Sequence, residues 1–532
     1  MPAFEEGREI HITGLPVLGK RVVSASDPRL ATCCSLEDWS RLARDLRGQF
    51  AIVASVGEVT FAITDPFGSY PVYYRLDPVS GRYHVAPRSD SITANTKNLS
   101  EEGLFTWTLR GTSDTSCLLD GVEKIAQGSV VEFTGRVKNE TRYFDWLELL
   151  KPRDRDVEKS SFEDWKAEFF DIASSYLGPI LRHTGTPACC LSGGIDSALT
   201  VASVHRVTGE IPPCFTADYS IGRYSEFAQV RVNSVALRTK LHRVHVGRAD
   251  HHRAFSTLNS ALQDSPHVSA QSSSLLCLAE ATAEMGLRVM LTGDHADATF
   301  LGFSGLFAGF PEKFEEYEKT ISEASQEQKT RWLLKTFAIP SEASQWDEMI
   351  ISSCGYNIST YRKWRAGAVE RERQSVAAIA PFGELPEIQQ LLGHVAAGAA
   401  WQNLYLGVEE GVRSVHVASI FYDIEMIRFA AALPHPMKYR DGQTKFFLRE
   451  VLADETGLVI SGKRASPNPM RLWMLRPRLS LRDVISPLRP MVRRLTVENL
   501  RSVGAHYHEM LKIFGLGLWL QAQDVQISEK PV

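Results

Sequence analysis

Residues 188–204, ACCLSGGIDSALTVASV, constrain the chain more than any other stretch. An apolar run ends at Leu191, two adjacent glycines follow, and an apolar-periodic segment starts at once. This order predicts a buried strand, a tight loop and the opening of a helix. The alternation then repeats. TPACCLSGG reads as a buried strand and IDSALTVASVHRVTG as a helix closed by Gly209; PPCFTADYS, SEFAQVRVNSVALRTK and HRVHVG read as strand, helix and strand. The helix SSLLCLAEATAEMG and the strand LRVMLTG follow. Strands alternating with helices predict an α/β unit on a parallel, doubly wound sheet.

At 532 residues the chain exceeds what one hydrophobic core supports, so two or three domains are expected. QFAIVASVGEVTFAITD, PVYYRLDPVSGRYHVAP and GSVVEFTGRVKNETRYF predict a β-rich first domain with a helical interruption near 100–110. The charged, helix-poor KPRDRDVEKSS begins at 151, and beyond about 310 the chain reads as mostly helical. The expected division is 1–150 and 160–532. A net charge of -4 supplies no global reason for nucleic acid or an anionic membrane as partner. No apolar run reaches the ~18 residues of a membrane span. The first residues are acidic where a signal peptide is basic, and the eight cysteines lack CxxC spacing. A cytoplasmic chain with reduced thiols is expected.

A loop between a parallel strand and a helix offers unpaired N–H groups and the positive end of the helix dipole to an anion. Gly193 and Gly194 admit phosphate oxygens, Ser192 and Ser197 carry donor hydroxyls, and Asp196 is placed to hold a magnesium ion bridging those oxygens. Leu191 followed by Ser-Gly-Gly-Ile-Asp-Ser resembles the PP-loop of the ATP pyrophosphatase superfamily, whose members cleave ATP between the α- and β-phosphates and adenylate a carboxylate or carbonyl oxygen. The Walker-type lysine is absent, which fits pyrophosphate as the leaving group. The resemblance implies ATP and Mg2+ as cofactors.

Segment 289–300, VMLTGDHADATF, resembles the Ser-Gly-x-Gly-x-Asp-Glu segment of class B asparagine synthetases. The resemblance implies that Gly293 belongs to the nucleotide site and that Asp297 holds metal beside Asp196. His295 and Ala298 stand where that family has its second glycine and its glutamate. Glu226 sits where the family opens its second helix, and reads as a dipole-stabilising residue three positions into that helix. Segment 438–468 resembles the superfamily's C-terminal segment: Lys445, expected to contact the nucleotide, and Arg449 fall on its helix. Lys463 is then the loop lysine, implied to stabilise pyrophosphate and the oxyanion of a tetrahedral acyl intermediate.

RGQFAIVASVGEVTFAITDPFGSYPVYY (47–74) resembles the glutamine amidotransferase half of asparagine synthetase, implying an Ntn-type, amidotransferase-like β-sandwich. That glutaminase uses a cysteine as residue 2. Here residue 2 is Pro2 and the first cysteine is Cys33, so the domain is expected to be degenerate. The relatives that share this loss take their amine from the substrate itself: β-lactam synthetases, carbapenam synthetases and lasso-peptide cyclases.

The β-lactam branch uses a Tyr-Glu dyad. Its tyrosine position is Asp294, and its glutamate position falls near Leu404, among Gln402, Asn403 and Tyr405, with Glu409 and Glu410 a turn later. The cyclase motif Gly-His-Gly-Gly-Asp is met by GDHAD at its first Gly and last Asp, and ALQDSPHVS (261–269) resembles the cyclases' Ser-Pro-bearing loop. The expected function is therefore ATP-dependent intramolecular amide formation through an acyl-adenylate, macrocyclising a cleaved precursor peptide into a lasso peptide. Lys463 stabilises the intermediate and Asp294 or His295 takes the amine proton. A peptide or small amino-acid-like substrate, a precursor-processing protease and a leader-binding protein are the expected partners. A β-lactam-type synthetase, an ammonia-dependent asparagine synthetase and a non-catalytic nucleotide-binding scaffold are the alternatives. The Arg-rich 471–494 reads as a helical surface whose Arg stems cover apolar area.

Overall fold

The computed structural model describes residues 8–93, 97–111, 115–150, 161–219, 221, 224–261, 264–266, 269–302, 342–379, 385–441, 443–460, 469 and 507–527, with scattered positions between 323 and 334. Lys463, Pro2, the stretch 151–160 and the Arg-rich 471–494 lie outside the described residues, as does part of ALQDSPHVS.

The first half centres on an antiparallel sheet of β1 (Arg8–Gly14), β2 (Phe50–Val56), β3 (Val59–Thr64), β4 (Ser129–Thr134) and β5 (Val137–Arg142), in that spatial order. Alternation along β2 sorts its side chains between two cores. Phe50, Ile52 and Ala54 join the core under helix α1 (Leu36–Asp45), whose Trp39 ring lies 6.1 Å from Phe61. Ala51 and Val53 pack instead with Tyr74 and Phe133 beneath a small sheet of Tyr73–Leu76, Tyr83–Ala86 and Glu123–Lys124. The small sheet thus packs on one face of the five-stranded sheet and a helix covers the other.

The second sheet is parallel: β6 (Ala188–Cys190), β7 (Cys214–Asp218), β8 (Leu241–His245), β9 (Val289–Leu291) and β10 (His416–Ala418), in the order β8-β7-β6-β9-β10. Connecting elements include α2 (Phe162–Thr184), α3 (Ile195–Thr208), α4 (Phe227–Ala236), α5 (Arg248–Ala261) and α6 (Ala270–Glu284). Both faces are covered, as a parallel sheet requires. Cys189, Leu291 and Ala418 pack with α2 and α3 on one side. Ala188, Met290 and Val417 pack with α5 and α6 on the other. The strand order reverses between β6 and β9, and the crevice beyond their carboxyl ends is where doubly wound sheets bind ligands.

Among the described residues the two halves share buried core. Phe67 and Trp146 of the first half share a core with Met290, Trp401 and Tyr422 of the second. A Cβ at Gly398 would stand 1.7 Å from the Phe67 carbonyl oxygen, so the backbones touch there and only glycine fits. A further core joins Glu101–Arg110 to Gln345–Ser353, Ile358–Ile379 and Tyr507–Gln523. Val525–Gln526 then pairs in parallel with Lys97–Asn98. Among the described residues no helix is long and apolar enough to cross a membrane. The eight cysteines are free thiols, six of them buried.

Candidate active site

The loop after β6 stands at the switch point. Leu191 donates its N–H to the Phe215 carbonyl (2.9 Å) and buries its side chain in the core, so it anchors the loop and leaves the face to its successors. The Ser197 hydroxyl accepts from the Ser192 N–H at 3.0 Å and lies 3.0 Å from the Ser192 hydroxyl. Gly194 donates its N–H to Ser192 Oγ at 3.1 Å. These bonds curl the backbone into a tight turn. Helix α3 starts at Ile195 on Gly194 with no side-chain cap. The N-terminal, positive end of its dipole therefore faces the crevice, the arrangement that favours phosphate.

The loop after β9 lies directly against this turn. A Cβ on Gly293 would sit 2.6 Å from both the Asp196 carbonyl carbon and the Ser197 nitrogen. Thr292 is fixed by its N–H to the Ala418 carbonyl (3.0 Å) and by the Tyr405 hydroxyl on its Oγ1 (3.2 Å). His295, at φ 75, turns the chain into the short helix Ala296–Thr299, and that turn delivers Asp297 to the Asp196 side of the crevice.

Between the two aspartates sits a cation. Lys445 Nζ lies 2.7 Å from each Asp196 carboxylate oxygen and 2.6 Å from Asp297 Oδ1. Burial pulls the lysine pKa down, but the two carboxylates outweigh it and the net shift is upward, so the ammonium stays charged. Lys445 occupies the position before helix α7 (Phe446–Thr456) with φ 56, one residue outside the helix in which the sequence pattern put it. Arg449, inside α7, donates to the Thr444 (2.8 Å) and Ile460 (2.7 Å) carbonyls and so ties down the stem leading toward Lys463.

Two carboxylates that converge on one point, with a phosphate-binding turn beside them, suit a hard divalent cation. Magnesium is commonly held by one or two carboxylates, with phosphates and water completing its shell. No group of three or more His, Cys, Asp or Glu that could hold a metal ion occurs among the described residues, so Asp196 and Asp297 fit Mg2+ only in company with nucleotide phosphates.

Residues 181–387 match the family model for asparagine synthase. The match supports an asparagine synthetase-like superfamily and, in general terms, an ATP-using ligase that forms amide bonds. It takes in both loops and stops before Lys445. Among solved structures the chain is similar to the glutamine phosphoribosylpyrophosphate amidotransferase from B. subtilis complexed with ADP and GMP, at 9% identity over 46% of this chain and 63% of that one, with a TM-score of 0.18. It is also similar to one described as the allosteric regulatory enzyme of purine biosynthesis, at 9% identity over 46% of this chain and 61% of that one, TM-score 0.17. The chain spans less than two thirds of either structure. No curated protein matches it.

Against this asparagine synthetase-like frame the remaining residues separate. Asp294 follows Gly293 at the crevice, partly exposed, its carbonyl accepting from Ser419 Oγ at 2.9 Å. His295 does not fit the role of proton acceptor. Its ring stacks on Tyr422 (centroids 4.3 Å), meets Phe67 edge-on (5.9 Å) and places Nε2 2.9 Å from His394 Nδ1. Burial pulls its pKa down to about 3, with Asp297 opposing, far below what a base near neutrality needs. Glu226 stands before α4, not inside it, with its carboxyl carbon 3.9 Å from the point a Gly193 Cβ would take. Glu409 and Glu410, the acidic pair beyond Leu404, turn to the first half: Tyr70 Oη donates to Glu409 (2.6 Å) and Arg88 to Glu410 (2.6 Å). The aromatic box of Phe67, Trp146, His394 and Tyr422 around His295 escaped the sequence reading, because its members come from four distant segments with no shared pattern.

Proposed function

We propose that the chain activates a substrate carboxylate as its adenylate and closes an amide bond within that substrate, a cleaved precursor peptide cyclised to a lasso-type macrolactam. The observation that carries the reading is the convergence of the Ser192–Ser197 turn, Asp196 and Asp297 on one cation at the ends of β6 and β9. The first N–H groups of α3 and the Ser192 and Ser197 hydroxyls hold the phosphates. Bound magnesium supplies neutralising charge for departing pyrophosphate, and Asp196 and Asp297 would hold it. The substrate carboxylate oxygen bonds to the α-phosphorus, the bond to the bridging oxygen breaks, and pyrophosphate leaves. The amine then bonds to the acyl carbon and AMP leaves with the electron pair. Asp294, at the mouth of the crevice, accepts the amine proton. Lys463 stabilises the oxyanion, a role assigned by resemblance.

In the proposed reaction the amine comes from the substrate, so the first domain supplies no ammonia. In this reading that domain serves as a wall. Phe67 and Trp146 buttress His295 and His394, and through them the loop that carries Asp297.

The test is pyrophosphate release from ATP and Mg2+ with synthetic peptides bearing an N-terminal glycine and a downstream Asp or Glu. A product lighter by one water is expected, and Asp196→Asn or Asp297→Asn should each lower the rate by about 100-fold or more. Asparagine formed from aspartate and ammonia would redirect the reading to an asparagine synthetase. ATP binding with no pyrophosphate released from any carboxylate would leave a scaffold.

A further inference from the structure

Lys445 stands where two carboxylates would otherwise share a divalent ion, and several features make that place costly for it. Its backbone is held at φ 56, a conformation that disfavours side chains other than glycine. Its charge sits at the N-terminal, positive end of α7. Its side chain is only 5% exposed. A Cβ at Gly302 would lie 2.0 Å from Lys445 Cε and 2.2 Å from Asp297 Oδ1, so the chain keeps a glycine where the lysine passes. Leu301, at φ 54, and His295, at φ 75, add two more left-handed residues around the same pair. The contacts that offset these costs are those to Asp196 and Asp297.

We propose that Lys445 is a resident counter-ion that keeps the divalent-cation position closed until nucleotide phosphates arrive. The inference rests on the reading of Asp196 and Asp297 as the cation-binding pair. An incoming triphosphate brings negative charge to the turn beside Lys445 and supplies the oxygens that complete a magnesium shell. The ammonium then transfers its contacts from the carboxylates to phosphate, and the ion takes the vacated position between Asp196 and Asp297. Metal and nucleotide therefore enter together. Metal alone meets two carboxylates already bridged by one ammonium, with a single net negative charge left to attract it.

Mn2+ held by the full chain, read by equilibrium dialysis with ATP at the same concentration on both sides and by thermal melting, tests the exchange. Wild-type protein is expected to leave Mn2+ free and its melting temperature unmoved without ATP, and to take up Mn2+ when ATP is present. Lys445→Met should bind Mn2+ without ATP at least about tenfold more tightly and melt higher in its presence. Adding Asp297→Asn should remove that gain. Lys445→Gln, smaller in its perturbation, serves if the methionine variant does not fold. Wild-type protein that binds Mn2+ alone as tightly as the variant would overturn the proposal while leaving the aspartate pair in place, as would a variant with no gain that still binds Mn2+ with ATP. Failure of every protein to take Mn2+ even with ATP would overturn the aspartate pair, and the proposal with it.

Discussion

Gly293 is where the two loops of the crevice come nearest, and its missing side chain is what lets them do so. A methyl group there would press on backbone atoms of Asp196 and Ser197, which cannot step aside as a side chain can. Gly293→Ala is expected to cost about 1–3 kcal/mol in urea unfolding. It should also weaken ATP binding at least about tenfold in titration calorimetry. Gly367, inside Ile358–Ile379, meets only the Arg371 side chain at 3.5 Å. Gly367→Ala should stabilise the chain by about 0.5–1 kcal/mol, so the contrast isolates contact from helix propensity. The strand-to-helix turn that carries Ser192, Gly193, Gly194 and Asp196 was legible because six consecutive positions define it. The position of Lys445 was not: 249 residues separate it from Asp196, and nothing in a lysine near the start of a helix announces which carboxylates it will meet.

At the scale of elements, Arg47 fastens three pieces of chain. Its guanidinium pairs with Asp423 (2.9 and 2.5 Å) and donates to Ser175 Oγ (2.8 Å) and the Ile172 carbonyl (3.3 Å) on α2. Asp423 in turn caps the helix Ile424–Ala432 through the Met426 N–H. Burial raises the Asp423 pKa against the pull of Arg47, so removing the arginine strands a buried carboxylate. Arg47→Met is expected to lose about 3–5 kcal/mol, and Asp423→Asn in the same chain to recover part of it, measured as a double-mutant cycle. β2 and β3 were legible from their alternation, and β6 and α3 from the Gly193-Gly194 turn between them and Gly209 after the helix. Helix α2 carries Pro179 within it, α5 opens with Arg-Ala-Asp-His-His-Arg and shows no clear apolar stripe, and β10 is three residues long. α5 and β10 offer no readable period, and α2, though periodic through Trp165, Phe169, Ala173, Tyr176 and Ile180, is interrupted by Pro179. β10 exists because β9 supplies its hydrogen bonds, a tertiary cause that a local pattern does not contain.

Across the whole molecule the halves meet at Glu409, which accepts from Tyr70 (2.6 Å) and from the Val417 N–H (2.5 Å) beside a cavity of about 700 Å³. Burial lifts its pKa from 4.5 to about 7, against both hydrogen bonds. A carboxyl group whose folded pKa is raised favours folding while protonated, so its contribution falls as pH climbs from about 4.5 to about 7 and is flat above. Wild-type stability should therefore decline across that window by about 1–3 kcal/mol from this group. Glu409→Gln should flatten the profile in urea unfolding, leaving the smaller slope of Asp65, which burial lifts from 3.8 to about 6. The pairing of Val525–Gln526 with Lys97–Asn98 reaches further still. A ribosome releases Lys97 long before it makes Val525, so the core around Phe105 and Trp107, even once Tyr361 and Trp364 have joined it, stays incomplete until Trp519 and its neighbours emerge. Assembly of the N-terminal half is completed by a segment translated long afterwards, and a chain stalled or cut short before that segment would expose an apolar face to chaperones and proteases.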